Sequence, residues 1–313
     1  MHSGAQAFAI TGLALLLTGC EELVMGHSSR FREDFHIAQP FKPGSQLSIE
    51  NANGSIEIVS WDKSEIDISG TKFANSESAL KAVKIDVTPS AGGIRVRTLT
   101  PSGQWGNWGA KYIVSVPRRV SLERITSSNG SIRVTSVEGS ATLRTSNGSV
   151  KLQDVRGDVE VSTSNGSVEA DGHHGTLIAR TSNGGVRADG IEGHFEASTS
   201  NGSVTASLAD PQQGKPVRIN TSNGSVNLSF SKLRDNDVHV STTNSSVTLE
   251  LPSSAKALVK ASTSHSSIQS ELDLQVRSGE MGKNFVEGTL NGGSAPRIEL
   301  MTSNGNIKLL RAN

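Results

Sequence analysis

The sequence has few aromatic residues and no excess of charge of either sign. Aromatic types make up 4% of its 313 residues and hydrophobic types together only 34%, which argues against an ordinary globular enzyme with a thick core. Thirty basic residues balance thirty acidic ones, and no run of lysine or arginine forms a patch that could follow a phosphate backbone. Nucleic acid is therefore not an expected partner.

Long apolar runs are also missing, apart from one near the start. Residues 5–17 (AQAFAITGLALLL) form this run, which is shorter than the roughly 20 residues that a membrane-spanning helix needs. It therefore predicts the apolar part of a secretion signal over residues 1–19. The run leads into Leu17-Thr18-Gly19-Cys20, which resembles the lipobox of bacterial lipoproteins, where the cysteine is acylated and becomes the new N-terminus.

The lipobox resemblance implies a lipid anchor at Cys20, the single cysteine of the chain. Glu21 is not the aspartate that resembles an inner-membrane retention signal, so the outer membrane is the expected location. The alternative is a secretion signal without acylation, and the lysine or arginine usual before the apolar region is absent. Residues 20–34 show no periodicity and are predicted to be a tether between the lipid and the folded part.

An internal repeat with the signature Thr-Ser-Asn-Gly-Ser-Val dominates the rest of the chain. Its asparagine position is filled by Asn53, Asn129, Asn147, Asn165, Asn183, Asn201, Asn223, Asn244, His265 and Asn304. The spacing is 18 residues from Asn129 to Asn201 and 22, 21, 21 and 39 residues thereafter. Positions −6, −4, +3 and +5 relative to the asparagine are apolar in every copy except at Glu123 and Ser270. The repeat therefore has a periodic buried face.

This pattern predicts two short strands per copy, joined by a turn at Asn-Gly-Ser, where glycine would supply the positive φ of a tight corner. Asn-Gly also favours β-hairpins, which is the alternative. A meander of hairpins gives no reason to repeat the same corner residues, whereas stacked coils place each residue about 4.8 Å from its counterpart in a parallel ladder. The predicted fold class is all-β: a single-stranded parallel β-solenoid, or β-helix, with coils of about 18–22 residues.

Stacking turns the repeated residues into columns with structural roles. The asparagine column is predicted to be a ladder of side-chain amides, and the threonine and serine columns are expected to form hydroxyl pairs. The ladder is assigned to Asn129, Asn147, Asn165, Asn183, Asn201 and Asn223.

The chain is less regular on either side of the main array. Residues 35–120 are predicted to form the first irregular coils and a cap, with a short helix over Ser76–Val83 opened by Ser76 or Ser78 and strands at 84–88, 94–99 and 111–116. Residues 121–313 form the regular coils, with an irregular coil over 271–293 before the last strand.

These features resemble a family of bacterial envelope proteins called putative adhesins. The resemblance is carried by residues 47–58 (LSIENANGSIEI), residues 112–117 (YIVSVP) and the serial repeats, and it extends from Phe35 to the C-terminus. It implies a single-stranded β-helix-like domain. It implies no reaction, because the family has none that is agreed.

The best candidate binding site is the loop around two of the three tryptophans. Gln104, Trp105, Asn107 and Trp108 lie in a glycine-rich segment between predicted strands. Exposed tryptophan can stack on sugars or insert into a partner. The alternative is that both rings cover an open end of the solenoid.

Catalytic and metal-binding patterns are weak. Asp154, Asp158, Asp171, Asp189 and Glu192 cluster on turns as in a polysaccharide lyase, but they are placed at different offsets from the asparagine column and are not expected to pair. His173, His174 and His194 lack ligand spacing. No metal and no cofactor is expected.

The sequence thus favours a non-enzymatic, lipid-anchored binding or scaffold module of the cell envelope. Its partners would be the membrane, through the lipid, and an envelope protein or glycan. A polysaccharide-active β-helix enzyme and an envelope-stress sensor acting through a membrane protein are the alternatives.

Overall fold

The computed structural model describes residues 31–90, 92–100 and 106–312. This part of the chain is all-β with almost no helix, as the sequence predicts. Its strands form two long sheets, of 13 and 14 strands, in which parallel pairing predominates. We call them sheet 1 and sheet 2. No helix in the described ranges is long and apolar enough to span a membrane.

The N-terminal part contains the single described helix. Its elements are β1 (Phe31–Pro40), β2 (Gln46–Asn53), β3 (Ile56–Trp61), β4 (Glu65–Ala74), α1 (Glu77–Ala82), β5 (Lys84–Ser90), β6 (Gly93–Leu99) and β7 (Gly109–Pro117). The Ser76 hydroxyl accepts a hydrogen bond from the Ala79 N–H at 3.2 Å, so the predicted helix and its cap are confirmed. Residues 31–34 belong to β1 and not to the tether predicted for residues 20–34, because their backbone pairs with β4.

The repeats supply the middle of both sheets. The strands are β8 (Ser121–Asn129), β9 (Ile132–Thr135), β10 (Ala141–Thr145), β11 (Val150–Gln153), β12 (Val159–Ser162), β13 (Val168–Asp171), β14 (Leu177–Arg180), β15 (Val186–Gly193), β16 (Phe195–Ser198), β17 (Val204–Pro211), β18 (Val217–Asn220), β19 (Val226–Phe230), β20 (Val238–Ser241) and β21 (Val247–Leu251). Each pairs in parallel with its counterparts in the adjacent coils; Val159 lies beside Leu177, for example. Hairpins pair consecutive strands antiparallel, whereas these strands pair in parallel with strands one repeat away in the chain. The meander of hairpins is therefore excluded, and the repeats form a solenoid-like stack.

The C-terminal strands do not stack in sequence order. They are β22 (Ala257–Thr263), β23 (Ile268–Ser270), β24 (Leu274–Met281), β25 (Phe285–Leu290), β26 (Arg297–Thr302) and β27 (Ile307–Arg311). The last two insert between β20–β21 and β22–β23, while β24 and β25 form an antiparallel pair beyond β22. At the other end β2 and β3 lie between β6–β7 and β8–β9. A parallel ladder determines that residues at equivalent positions of two coils lie side by side. It does not require that neighbouring coils be consecutive in sequence.

The core lies between the two sheets and consists of the predicted apolar columns. Every apolar residue at positions −6, −4, +3 and +5 is buried except the partly buried Ile268. The exception at Glu123 is explained by a β-bulge in β8, which places Leu122 beside Ala141 and leaves Glu123 outside.

Gly54 has the positive φ predicted for the glycine after a ladder asparagine, but the later glycines have a different role. In the repeats from Gly130 onward their φ is not positive. A Cβ on Gly166 would instead lie 1.8 Å from the carbonyl oxygen of Gly148 in the adjacent coil. Glycine therefore leaves room for the close approach of the two backbones at this corner. Positive φ occurs at the second corner of the coil, where Gly157 has φ 128°.

Candidate functional site

The asparagine column forms an unbroken amide ladder along one edge of the stack. The Nδ2 of each asparagine donates to the Oδ1 of its neighbour at 2.6–2.8 Å. In spatial order the members are Asn53, Asn129, Asn147, Asn165, Asn183, Asn201, Asn223, Asn244 and Asn304. The predicted ladder residues therefore bond to one another, and the ladder is longer than the six residues assigned from sequence.

The threonine column stabilises the same edge, but not through hydroxyl pairs. Thr163 is buried; its hydroxyl donates to the Gly148 carbonyl at 3.0 Å and accepts from the Gly166 N–H at 3.2 Å. Thr145, Thr181 and Thr199 repeat both bonds. Each threonine thus satisfies two backbone groups of the corner, one in its own coil and one in the neighbouring coil.

A polar cleft of about 560 Å³ lies where the ladder meets the N-terminal strands. Its wall on the repeat side consists of two stacked Asn-Gly-Ser corners, which contribute Asn53, Ser55, Asn129 and Ser131. The opposite wall comes from the antiparallel strands β1 and β4 and from β7 with the residues before it. That wall contributes Arg32, Thr71, Phe73, Asn107 and Lys111. The cleft exists because sheet 1 continues beyond the Asn-Gly-Ser corner at Asn53, through β7 and the antiparallel strands β4 and β1.

Two cations flank this cleft. Strand register places Lys111 beside Thr71, and Arg32 beside Phe73. Within the residues that the structure describes, neither Arg32 nor Lys111 has an ion-pair partner. The neighbouring carboxylates are engaged: Glu33 pairs with Lys72 at 2.8 Å, and Asp34 accepts a hydrogen bond from Thr71 at 2.7 Å. The described residues that line the cleft include no carboxylate.

Two residues of the predicted tryptophan loop, Asn107 and Trp108, lie beside this cleft and differ in role. Gln104 and Trp105 lie outside the described residues. Asn107 lines the cleft. Trp108 is half-buried and packs against Ala74, Ala79 and Leu80, while its carbonyl accepts the first bond of the amide ladder from Asn53 at 2.7 Å. Trp108 therefore fits the alternative role of covering an end of the stack.

Two of the predicted acidic residues do pair, contrary to expectation. Asp171 and Asp189 both lie six positions after their ladder asparagines and are direct partners between β13 and β15. Both side chains are exposed on the outer face of sheet 1. Asp189 borders a shallow groove of about 240 Å³ with Arg187, and Asp171 is not among its lining residues. No enclosed cleft in the described part of the chain contains both carboxylates.

The three candidate histidines are dispersed. His173 is fully buried in a column that continues with Val137, Val155 and Ile191. Its Nε2 lies 3.1 Å from the Thr176 carbonyl oxygen, and its Nδ1 has no partner among the described residues. Burial is the main cause that lowers the pKa of His173. His174 instead contacts Glu192 at 2.8 Å. No group of three metal-ligating side chains occurs in the described ranges.

Burial also raises the pKa of one tyrosine in the N-terminal strands. Tyr112, on β7, is 1% exposed and packs edge-on against Phe35. Desolvation raises the pKa of Tyr112 to about 12, although its hydroxyl lies 2.6 Å from that of Thr98. Tyr112 is therefore a packing residue that stabilises the strand bearing Lys111, rather than an acid or base.

Sequence reasoning missed the cleft because its residues are far apart in the chain. Arg32 fell in the predicted tether, and Lys111 was noted only as the start of a strand. Asn107 is the one lining residue that the sequence analysis placed in a candidate binding site, as part of the tryptophan loop.

Comparison with known proteins gives a family and several distant structures. Three solved structures are similar: a "putative cell adhesion protein" from Clostridium sporogenes ATCC 15579, a "putative adhesin" from Bacteroides fragilis NCTC 9343 and a "putative lipid binding protein" from Parabacteroides distasonis ATCC 8503. They are 12%, 10% and 12% identical, with TM-scores of 0.25, 0.43 and 0.37. The matches cover 90%, 90% and 89% of this chain and 100%, 97% and 96% of theirs.

No curated protein matches the chain. The model of the Toastrack DUF4097 family matches residues 25–251, which is most of the sequence. The chain therefore belongs to the Toastrack DUF4097 family.

Proposed function

We propose that this chain is a non-enzymatic binding module of the cell envelope, anchored by lipid at Cys20, and that its ligand site is the polar cleft at the Asn53 end. The observation that carries the proposal is the cleft itself. It combines two cations without ion-pair partners in the described chain with a wall of amides and hydroxyls. The repeats act as the rigid frame that holds this wall.

The chemistry of the lining supports binding rather than catalysis. Proton transfer to or from a substrate needs a positioned acid or base, and the lining side chains described above are cations, amides, hydroxyls and one phenyl ring. Convergent polar groups in a concave site of this size are typical of ligand recognition.

The lipid anchor supports an envelope location. Cys20 follows a short apolar run and small residues, and several acyl chains together hold a protein stably at a membrane. We propose the outer membrane, because Glu21 follows the cysteine. Cys20→Ser should move the full-length protein from the membrane fraction to the soluble fraction after cell disruption. Retention in the membrane fraction would contradict the lipid anchor.

Binding to isolated envelopes tests the proposed site. We expect saturable binding of the purified full chain, and its loss in the Arg32→Ala/Lys111→Ala double variant. The matched control is Lys151→Ala/Arg187→Ala, which removes the same charge from the same face of sheet 1 outside the cleft. Equal binding by wild type and the cleft variant would refute the proposal. An equal loss in both variants would show that only net charge matters, and would refute it as well.

The polysaccharide-active alternative has one specific observation in its favour, the stacked Asp171 and Asp189. Both are exposed on a flat sheet face beside Arg187, where nothing excludes water or fixes a sugar ring. Asp171→Asn/Asp189→Asn is expected to leave envelope binding unchanged. Release of reducing ends or unsaturated sugars by wild type, and not by this variant, would establish the enzyme instead.

A further inference from the structure

We infer that the cleft at the Asn53 end binds an acidic saccharide, a short sugar chain that carries carboxylates. This inference rests on the proposed function and specifies the ligand class of the same site. It follows from three features of the cleft: its neutral polar wall, its two cations and its volume.

The neutral wall matches a hydroxyl-rich ligand. Asn129 donates one amide hydrogen to the Asn53 Oδ1 at 2.6 Å, and Asn53 donates one to the Trp108 carbonyl at 2.7 Å. Each amide group carries two hydrogens and its oxygen two lone pairs, so both residues keep a second donor for the cleft. The hydroxyls of Ser55 and Ser131 lie alongside them. Donors and acceptors that alternate over a short distance are what sugar hydroxyls require.

The two cations add a preference for negative charge. Arg32 lies on β1 and Lys111 on β7, with β4 between them, so strand spacing alone separates them by about 10 Å. A guanidinium presents a planar fork that binds a carboxylate through two hydrogen bonds. The two residues lie on strands that are not adjacent, so their charges can engage separate groups of one extended ligand.

Nearby carboxylates weaken this positive field without cancelling it. Asp34 projects from the same face of β1 as Arg32 and is held by Thr71. Glu57 follows Ser55 by two residues in the chain and lies on β3, where Arg133 of β9 is its neighbour across the sheet. Lys72 and Glu33 neutralise each other. The immediate lining therefore keeps two positive charges against no negative one.

The volume favours a saccharide over a free inorganic anion. A cleft of about 560 Å³ falls within the roughly 300–1,000 Å³ of sites that bury small organic ligands. A phosphate ion is much smaller than this cleft and would leave most of the wall of amides and hydroxyls without a partner.

Calorimetry with trigalacturonic acid and its fully methyl-esterified form tests the inference on the full chain. The two probes share size and hydroxyls and differ in charge. We expect the acid to bind at least about 10-fold more tightly than the ester. Arg32→Ala/Lys111→Ala should lose at least about 10-fold in affinity for the acid, and Lys151→Ala/Arg187→Ala should keep wild-type affinity. Arg32→Lys, which retains charge but not the fork, should fall between them.

Four results would overturn the inference. The first is equal affinity for ester and acid, and the second is displacement of the acid by equimolar inorganic phosphate. The third is binding to anionic lipid vesicles that the acid does not displace. The fourth is no binding of either saccharide while envelope binding still depends on Arg32 and Lys111; the proposed function would then stand and only the ligand class would be wrong. If envelope binding is also unchanged when both residues are replaced, both proposals fail.

Thermal melts monitored by circular dichroism check that the variants fold. The melts should match wild type, because all four substituted side chains are exposed or half-buried.

Discussion

Thr163→Val tests whether the threonine column stabilises the corners of the coils. The substitution keeps the shape of the side chain and removes the hydroxyl, which donates to the Gly148 carbonyl at 3.0 Å and accepts from the Gly166 N–H at 3.2 Å. Thr163, Gly148 and Gly166 are all buried. Both backbone groups therefore lose a partner in a place that water does not reach.

The size of the effect follows from these two bonds. A hydrogen bond contributes about 1 kcal/mol net, and a buried backbone group left without a partner costs about 1–3 kcal/mol. The added methyl group recovers about 0.8 kcal/mol by burial. We expect Thr163→Val to lower the free energy of unfolding by about 2–4 kcal/mol. Thr163→Ser keeps the hydroxyl, as Ser127 does in the same column, and should cost about 1 kcal/mol for the lost methyl.

Two measurements check this prediction. Urea unfolding followed by far-ultraviolet circular dichroism compares the midpoints of the three proteins. Amide hydrogen exchange then reports on the corner itself, because stacked repeats need not unfold in one step. The Gly166 amide should lose protection in Thr163→Val and keep it in Thr163→Ser. If the two variants have the same midpoint and the same protection at Gly166, the hydroxyl has no such role.

Two other substitutions test separate features of the coil. Gly166→Val should destabilise strongly, because its Cβ meets the Gly148 carbonyl, and an unchanged melting temperature would contradict the close-approach argument. His173→Val should remove a pH dependence. Burial lowers the pKa of His173 in the folded state, so below the unfolded value of about 6.5 the unfolded chain binds more protons than the folded one. Lowering the pH therefore reduces the stability of the wild type, by at most about 1.4 kcal/mol per pH unit. The stability of the variant relative to wild type should therefore increase from about pH 7 to about pH 5, and parallel curves would show that His173 is not the titrating group.

The sequence was sufficient to predict an all-β, solenoid-like fold with mostly parallel strands, because the periodic columns describe a local rule that the repeats share. Alternation at Val159 and Val161, and again at Val168 and Ala170, states which face is buried. The insertion of β26 and β27 between earlier coils could not be predicted in this way. All coils present similar columns to their neighbours, so the pattern does not specify which copy stacks on which.

The role of each corner residue was harder to predict than its presence. Asn-Gly suggested a positive φ, but the constraint on Gly166 comes from the carbonyl of another coil, which no local pattern reveals. Likewise the cleft joins Arg32, Thr71 and Lys111 through antiparallel pairing among β1, β4 and β7. Residues that meet only through such long-range pairing leave no spacing signal in the chain.

The central claim is that the repeats form a frame and that ligand binding takes place at its Asn53 end. A photo-cross-linking amino acid in place of Ser131 or Ser203, compared in intact cells, tests this claim most directly. Both serines follow a ladder Asn-Gly pair and are exposed, but only Ser131 lines the cleft. The account predicts adducts from position 131 that disappear in the Arg32→Ala/Lys111→Ala background, and none from position 203. Equal adducts from both positions, or adducts from position 203 alone, would show that the face of the array is the binding surface.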